Sequence, residues 1–176
     1  MLGTARLVLH SSFRFHAFLA GLFCFAVLWY ALHVQVDLGI EPCPLCIFQR
    51  LAFIAVALTA GAAVVHNPGR TGTRAYGTVL TLLAALGAGI ALRHLWVEHQ
   101  PPDPFAGCAP SWNYMVDHFP LSHILQLALT GTADCAQVSW TFLGLSMPAW
   151  SLMAFVLLGT GLCWSAWRTP KANAGF

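Results

Sequence analysis

Two cysteines separated by two residues, Cys43 and Cys46 in the run Glu41-Pro42-Cys43-Pro44-Leu45-Cys46, can close and reopen a small-ring disulfide. Their sulfurs come within reach if the second cysteine begins a helix. Pro44 suits the start of that helix, where a missing N–H is no loss. Cys46 then sits near the positive end of a helix macrodipole, which favours the thiolate, the reactive form of the side chain. Arg50 lies four residues on, on the same face, and adds a permanent positive charge. The spacing predicts a thiol prepared to attack a disulfide or to donate electrons. An inert structural disulfide and a zinc site are the competing readings. Zinc needs two more ligands, usually a second close-spaced pair; Cys108 and Cys135 are too far apart in sequence to form one, and no metal is expected.

Cys108 and Cys135 admit two readings. They can be a staple closing a long loop, worth roughly 3 kcal/mol, or an exchangeable pair. Cys108 follows an extended segment, Asp103-Pro104-Phe105-Ala106-Gly107, which can lie in a partner's groove and present its sulfur. That context favours exchange. Cys24 and Cys163 fall within apolar runs and read as small buried side chains.

Arg50 is embedded in an apolar run, close to its outer end. An arginine at a bilayer centre costs about 2.5–3.5 kcal/mol, and less near the interface. It either reaches for lipid headgroups or holds the polar head of a ligand, such as a quinone carbonyl. Arg93, His94, Glu98 and His99 cluster at the end of another apolar run. Arg93, His94 and Val97 share a helical face by spacing, and a histidine there can give a hydrogen bond or a proton to a reduced quinone oxygen.

The elements that position these groups follow from composition. Of 176 residues, 58% are hydrophobic and 8% charged, against about 25% charged in a soluble domain. Such a chain cannot build a soluble surface and is expected to lie in membrane lipid; its net charge of only +2 argues against a nucleic-acid partner. One membrane domain, 1–176, is expected, with spans at about 16–36, 47–65, 75–97 and 148–167. Each is close to the 20 or so residues that cross the hydrocarbon core as a helix. The first reads as a retained helix rather than a signal peptide, because its apolar stretch is too long and no small-residue cleavage site follows.

Lys and Arg occur near both termini and in the loop from His66 to Arg74, but not in the loops at about 37–46 and 98–147. The positive-inside rule therefore puts both termini in the cytoplasm and all four loop cysteines outside, which in a Gram-negative bacterium is the disulfide-permissive periplasm. The second outer loop is too long to be only a connector. Within it, 121–130 reads as a short helix with Ser122 as N-cap and Gly131 as stop, lying either on the membrane surface or on the loop's own residues.

At this level of detail the chain resembles the DsbB family of inner-membrane disulfide bond formation proteins. The resemblance rests on Cys43-Pro44-Leu45-Cys46-Ile47 with Arg50, Pro104-Phe105-Ala106-Gly107-Cys108, Asp134-Cys135, and Phe142-Leu143-Gly144-Leu145 with Met147-Pro148-Ala149-Trp150. It implies a four-transmembrane-helix bundle with a long periplasmic loop carrying a short surface helix. It further implies that reduced DsbA, a periplasmic thioredoxin-fold oxidant, forms a mixed disulfide with Cys108. The Cys108–Cys135 pair is then reoxidised by Cys43–Cys46, and Cys46 passes electrons to ubiquinone, or menaquinone, beside Arg50. The family's quinone-proximal histidine maps to His94 or His99, with Arg93 adjacent. Some relatives carry Glu where this chain has Gln49, and the segment from His99 to Cys108 looks shorter than in some members. Two rivals stand beside this reading. One is a vitamin K epoxide reductase-like enzyme, although there the active pair usually starts a late helix. The other is a tetraspan scaffold with structural disulfides.

Overall fold

The computed structural model describes residues 2–39, 42–100, 110, 112–136 and 141–168. Four long helices dominate: α1 (Leu2–Leu38), α2 (Pro44–His66), α3 (Arg70–Glu98) and α7 (Met147–Trp167). Each contains a stretch long and apolar enough to cross a bilayer, Phe13–Asp37 in the case of α1, and the chain is a multi-pass membrane protein. The apolar spans fall where expected, with helix ends a few residues beyond them. The largest extension is at the start of α1, where no proline interrupts the turns before residue 16.

Local chemistry sets the ends. Cys43 caps α2 in an extended conformation, and Pro44 stands in the first turn, where the sequence placed it. Asn67 closes α2 in the left-handed region (φ 45°) ahead of Pro68. Gly69 then caps α3, whose Thr73 hydroxyl donates to the Pro68 carbonyl at 3.2 Å.

The bundle core joins Phe13, Cys24, Phe53, Val56, Leu80, Phe155 and Leu162 from all four helices. Cys24 is buried there, as expected of an apolar cysteine. Phe155 stacks on Phe53 with ring centroids 4.0 Å apart. A Cβ at Gly87 would overlap the Phe155 ring, and one at Gly77 would overlap Ala166. Small residues thus bring α3 and α7 into close contact, as is common where lipid leaves packing to drive helix association.

The long segment between α3 and α7 carries more than one short helix. It holds α4 (Trp112–His118), α5 (Leu121–Thr130) and α6 (Ala133–Ala136), then strands β1 (Thr141–Phe142) and β2 (Leu145–Ser146). The expected α5 is present with Gly131 at its end (φ 83°), but Pro120 rather than Ser122 occupies its N-cap. Proline's fixed extended geometry places the cap two residues earlier, and Ser122 falls in the first turn. α5 packs on α4 and α2; Ile124 is buried and Leu121 and Leu125 are exposed. Strands this short carry too little alternation to be read from sequence. Their two-residue turn places Leu143 (φ 52°) and Gly144 (φ 78°) in the left-handed region that matches hairpin twist.

Candidate active site

The N-terminus of α2, the C-terminal ends of α1 and α3, and the start of α7 meet at one end of the bundle. Cys43 and Cys46 lie there with sulfurs 3.1 Å apart, and the Cys46 amide donates to the Cys43 sulfur at 3.4 Å. This is the spacing a Cys-Pro-x-Cys turn gives when its first cysteine caps the helix.

His94 enters from α3 and is 5% exposed. Its Nε2 lies 3.7 Å from the Cys43 sulfur and its Nδ1 4.0 Å from the Cys46 sulfur. Gln49, also buried, meets His94 Nδ1 at 3.1 Å. Gln49 was not singled out as a site residue in the sequence. Its signal was available, as an amide three residues beyond Cys46 in an otherwise apolar helix, on the face that carries the sulfurs.

Arg50 does not turn away to headgroups. Nη1 donates to Gln35 Oε1 at 2.5 Å and Nη2 to the Ala31 carbonyl at 3.1 Å, both on α1. Arg93 and His99 are placed elsewhere. Arg93 Nη2 donates to the Thr130 carbonyl at 3.2 Å, at the end of α5, and His99 Nδ1 bonds the Leu95 carbonyl at 2.8 Å, closing α3. Of the four residues expected near a ligand, Arg50 and His94 face the cysteines' cavity and Arg93 and His99 do not line it.

That cavity measures about 770 Å³. Its walls are apolar side chains of α1 and α7, such as Phe23, Val27, Met153 and Leu157, with Cys46, Gln49, Arg50 and His94 at its polar end. A few polar groups converging at the end of an apolar cleft of this size suit a ligand with a greasy body and a polar head. The rim is fastened by Ser146, whose hydroxyl donates to Glu98 at 2.9 Å, and by Trp150, whose indole N–H donates to the Phe142 carbonyl at 3.1 Å.

Cys135 arrives from α6. It is 1% exposed and packs with Cys43, Leu45 and Val97. Its thiol hydrogen-bonds with Cys43, and that bond together with burial pushes its pKa well above the ordinary thiol value. The Thr132 hydroxyl, donating at 3.5 Å, works the other way. The long loop therefore delivers one of its cysteines to the helix-capping pair. Cys108 and its Pro104–Gly107 approach lie outside the described residues.

The fold adds one of the two further ligands that a zinc site on this pair would need. Cys43, Cys46 and His94 present ligand atoms all within 4.8 Å of one another.

Comparison with known proteins gives a consistent family. Residues 13–165 match the family model described as disulfide bond formation protein DsbB. A relative from Methylococcus capsulatus, named disulfide bond formation protein B, is 48% identical over 155 residues, which is 88% of this chain and 94% of the relative. Proteins of the same name from Aromatoleum aromaticum (47% over 149 residues, 84% of this chain and 89% of the relative) and Hahella chejuensis (42% over 156 residues, 88% and 93%) are also similar.

Proposed function

The chain belongs to the DsbB family of disulfide bond formation proteins, and from that premise we propose that it is a quinone-dependent thiol oxidase of a bacterial inner membrane. In this reading the cysteine end of the bundle faces the periplasm, both termini lie in the cytoplasm, and reduced DsbA is the partner. The observation that carries it is the placement of a helix-capping dithiol, with His94 and Arg50, at the polar end of a large apolar cavity.

The relay is thiol–disulfide exchange. A DsbA thiolate attacks Cys108 of the Cys108–Cys135 disulfide, forms a mixed disulfide and releases Cys135. The second DsbA thiolate resolves that bond, so DsbA leaves oxidised. Cys135 then attacks the Cys43 sulfur of the Cys43–Cys46 disulfide, releasing Cys46 as thiolate. Cys108 next attacks Cys135, restoring their disulfide and leaving Cys43 and Cys46 reduced. The packing of Cys135 against Cys43 supports this order, since the attacking sulfur already touches its target. The high pKa of Cys135 makes the attack depend on deprotonation, because the thiolate is the nucleophile.

Electrons leave through Cys46. The N-terminus of α2 and the Arg50 guanidinium present positive charge to a thiolate there. Ubiquinone, or menaquinone, would be held in the cavity by Arg50 and His94 at its head and by α1 and α7 along its body, and it supplies the two-electron, two-proton acceptor. The fit is chemical. An isoprenoid tail needs an apolar groove open to lipid, and a carbonyl needs donors. Two of the five guanidinium N–H groups serve α1, which leaves Arg50 able to donate toward the cavity as well. His94 can hold the proton given up by Cys43, and Gln49 fixes its ring orientation.

The test is anaerobic mixing of the purified protein with reduced DsbA and a soluble ubiquinone analogue, following quinone absorbance. The wild type consumes quinone in step with DsbA oxidation, and Cys46→Ser consumes none while keeping its thermal unfolding midpoint. Quinone consumption that survives Cys46→Ser overturns the reading.

A further inference from the structure

We propose that the reduced dithiol, together with His94, forms a binding site for a thiophilic divalent cation of the zinc class, and that metal held there arrests the relay. The juxtaposition of Cys43, Cys46 and His94 carries the inference. A tetrahedral zinc with Zn–S near 2.3 Å and Zn–N near 2.0–2.1 Å has ligand–ligand edges of roughly 3.4–3.8 Å. The two sulfurs are 3.1 Å apart and the Cys43 sulfur is 3.7 Å from His94 Nε2. The three ligand atoms lie within 4.8 Å of one another, so side-chain rotations that draw them together complete three corners of the tetrahedron, and Cys46, only partly buried on the cavity, leaves a path to the fourth.

Two further observations fit a ligand set. A metal-bound histidine almost always donates its other ring N–H to an oriented partner, which fixes the tautomer. Gln49 is already at His94 Nδ1, and a half-turn of its amide presents Oε1 to that N–H. Charge is also balanced. Two thiolates bound to a divalent ion make a neutral unit, which a buried site tolerates far better than two bare anions.

The chemistry is redox-gated. Two thiols lose two protons and bind one cation; the disulfide offers no thiolate and binds none. Metal therefore traps the reduced form and removes the electron donor from both exchange with Cys135 and transfer into the cavity. This consequence rests on the proposed oxidase reading, whereas binding itself does not.

The test uses the full-length chain in lipid nanodiscs with Cys108→Ser and Cys135→Ser, so that one loop dithiol remains. The anaerobically reduced protein is titrated with Co2+, a spectroscopic stand-in for Zn2+. The expected result is thiolate-to-cobalt charge-transfer absorption saturating at one ion per chain, absent after oxidation of the pair and displaced by Zn2+. His94→Ala should weaken binding beyond the ~10–100-fold that loss of a second-shell partner costs, Gln49→Leu should weaken it within that range, and His94→Cys should restore it. No charge-transfer absorption overturns the proposal. So does binding unchanged by both His94→Ala and Gln49→Leu in protein whose thermal unfolding is normal. With all cysteines present, Zn2+ should inhibit quinone consumption and a chelator should reverse it. Quinone consumption absent even without metal would count against the oxidase reading, and leave the cobalt result to decide the metal site alone.

Discussion

Helix α7 meets its two neighbours in opposite ways. Against α3 it is joined along a seam of small residues, where Gly77 faces Ala166 and Gly87 faces the Phe155 ring. Against α1 it makes far less contact, and side chains of both helices, Phe23 and Val27 from α1 and Met153 and Leu157 from α7, line the cavity. One side of the helix spends its length on packing, and the other keeps a volume of about 770 Å³ beside reactive sulfur. The lesson is that one face of α7 is built for close contact with its neighbour and the other leaves room beside the sulfurs.

The comparison predicts that added bulk has opposite consequences on the two sides. Gly87→Leu forces a side chain into Phe155, and overpacking of this kind costs about 1–3 kcal/mol or more. The expected outcome is the largest of the set: a steep drop in detergent-extractable folded protein, read by size-exclusion profile and thermal unfolding. Met153→Trp adds bulk on the cavity side, where Met153 lines the wall and is partly exposed. It should move the unfolding midpoint by no more than ~2–4 °C, equivalent to ~1 kcal/mol, while raising the quinone concentration needed for half-maximal rate about tenfold, or ~1.4 kcal/mol. A Trp at 153 that unfolds the protein without touching quinone use would erase the distinction between the two faces.

Arg50→Met sharpens the claim for the cavity's polar end. Hydrogen bonds from a charged group are worth about 1.5–3 kcal/mol, so quinone-dependent rate should fall about tenfold or more. Exchange at Cys108 with reduced DsbA, measured by trapping the mixed disulfide, should change less; equal loss of both would remove Arg50 from the quinone end. The smallest effect concerns Cys135. Its pKa lies above the ordinary thiol value of about 8.5, so the neutral thiol dominates at pH 7 and alkylation of the reduced protein at this residue should rise only at more alkaline pH. Thr132→Val removes a hydrogen bond that lowers the pKa and should shift that profile further up. A Cys135 profile centred at or below 8.5 would contradict the packing against Cys43.

Much of this was legible in the chain. The spans were visible because about 20 consecutive apolar residues have few other fates, and a helix start at the cysteine pair was visible because Pro44 suits a first turn; that Cys43 itself caps the helix was not. What could not be read were meetings between distant segments. His94 and His99 sit on neighbouring turns with similar surroundings in sequence. Only the rotation of α3 against α2 turns His94 to the sulfurs and leaves His99 closing its own helix. Gln49 was hidden for the same reason, since its partner is 45 residues away. The contact of Cys135 with Cys43 depends on how α6 folds back, and a four-residue helix leaves no periodic trace.

The central claim is that Cys46 discharges into the cavity. A single-turnover experiment tests it most directly. The chain carrying Cys108→Ser and Cys135→Ser is reduced, freed of reductant and mixed anaerobically with excess quinone analogue, while quinone absorbance and free thiols are counted together. The account predicts one quinone reduced and two thiols lost per chain, with no DsbA present. Loss of thiols without quinone reduction, or quinone reduction that leaves Cys43 and Cys46 still reduced, would contradict it.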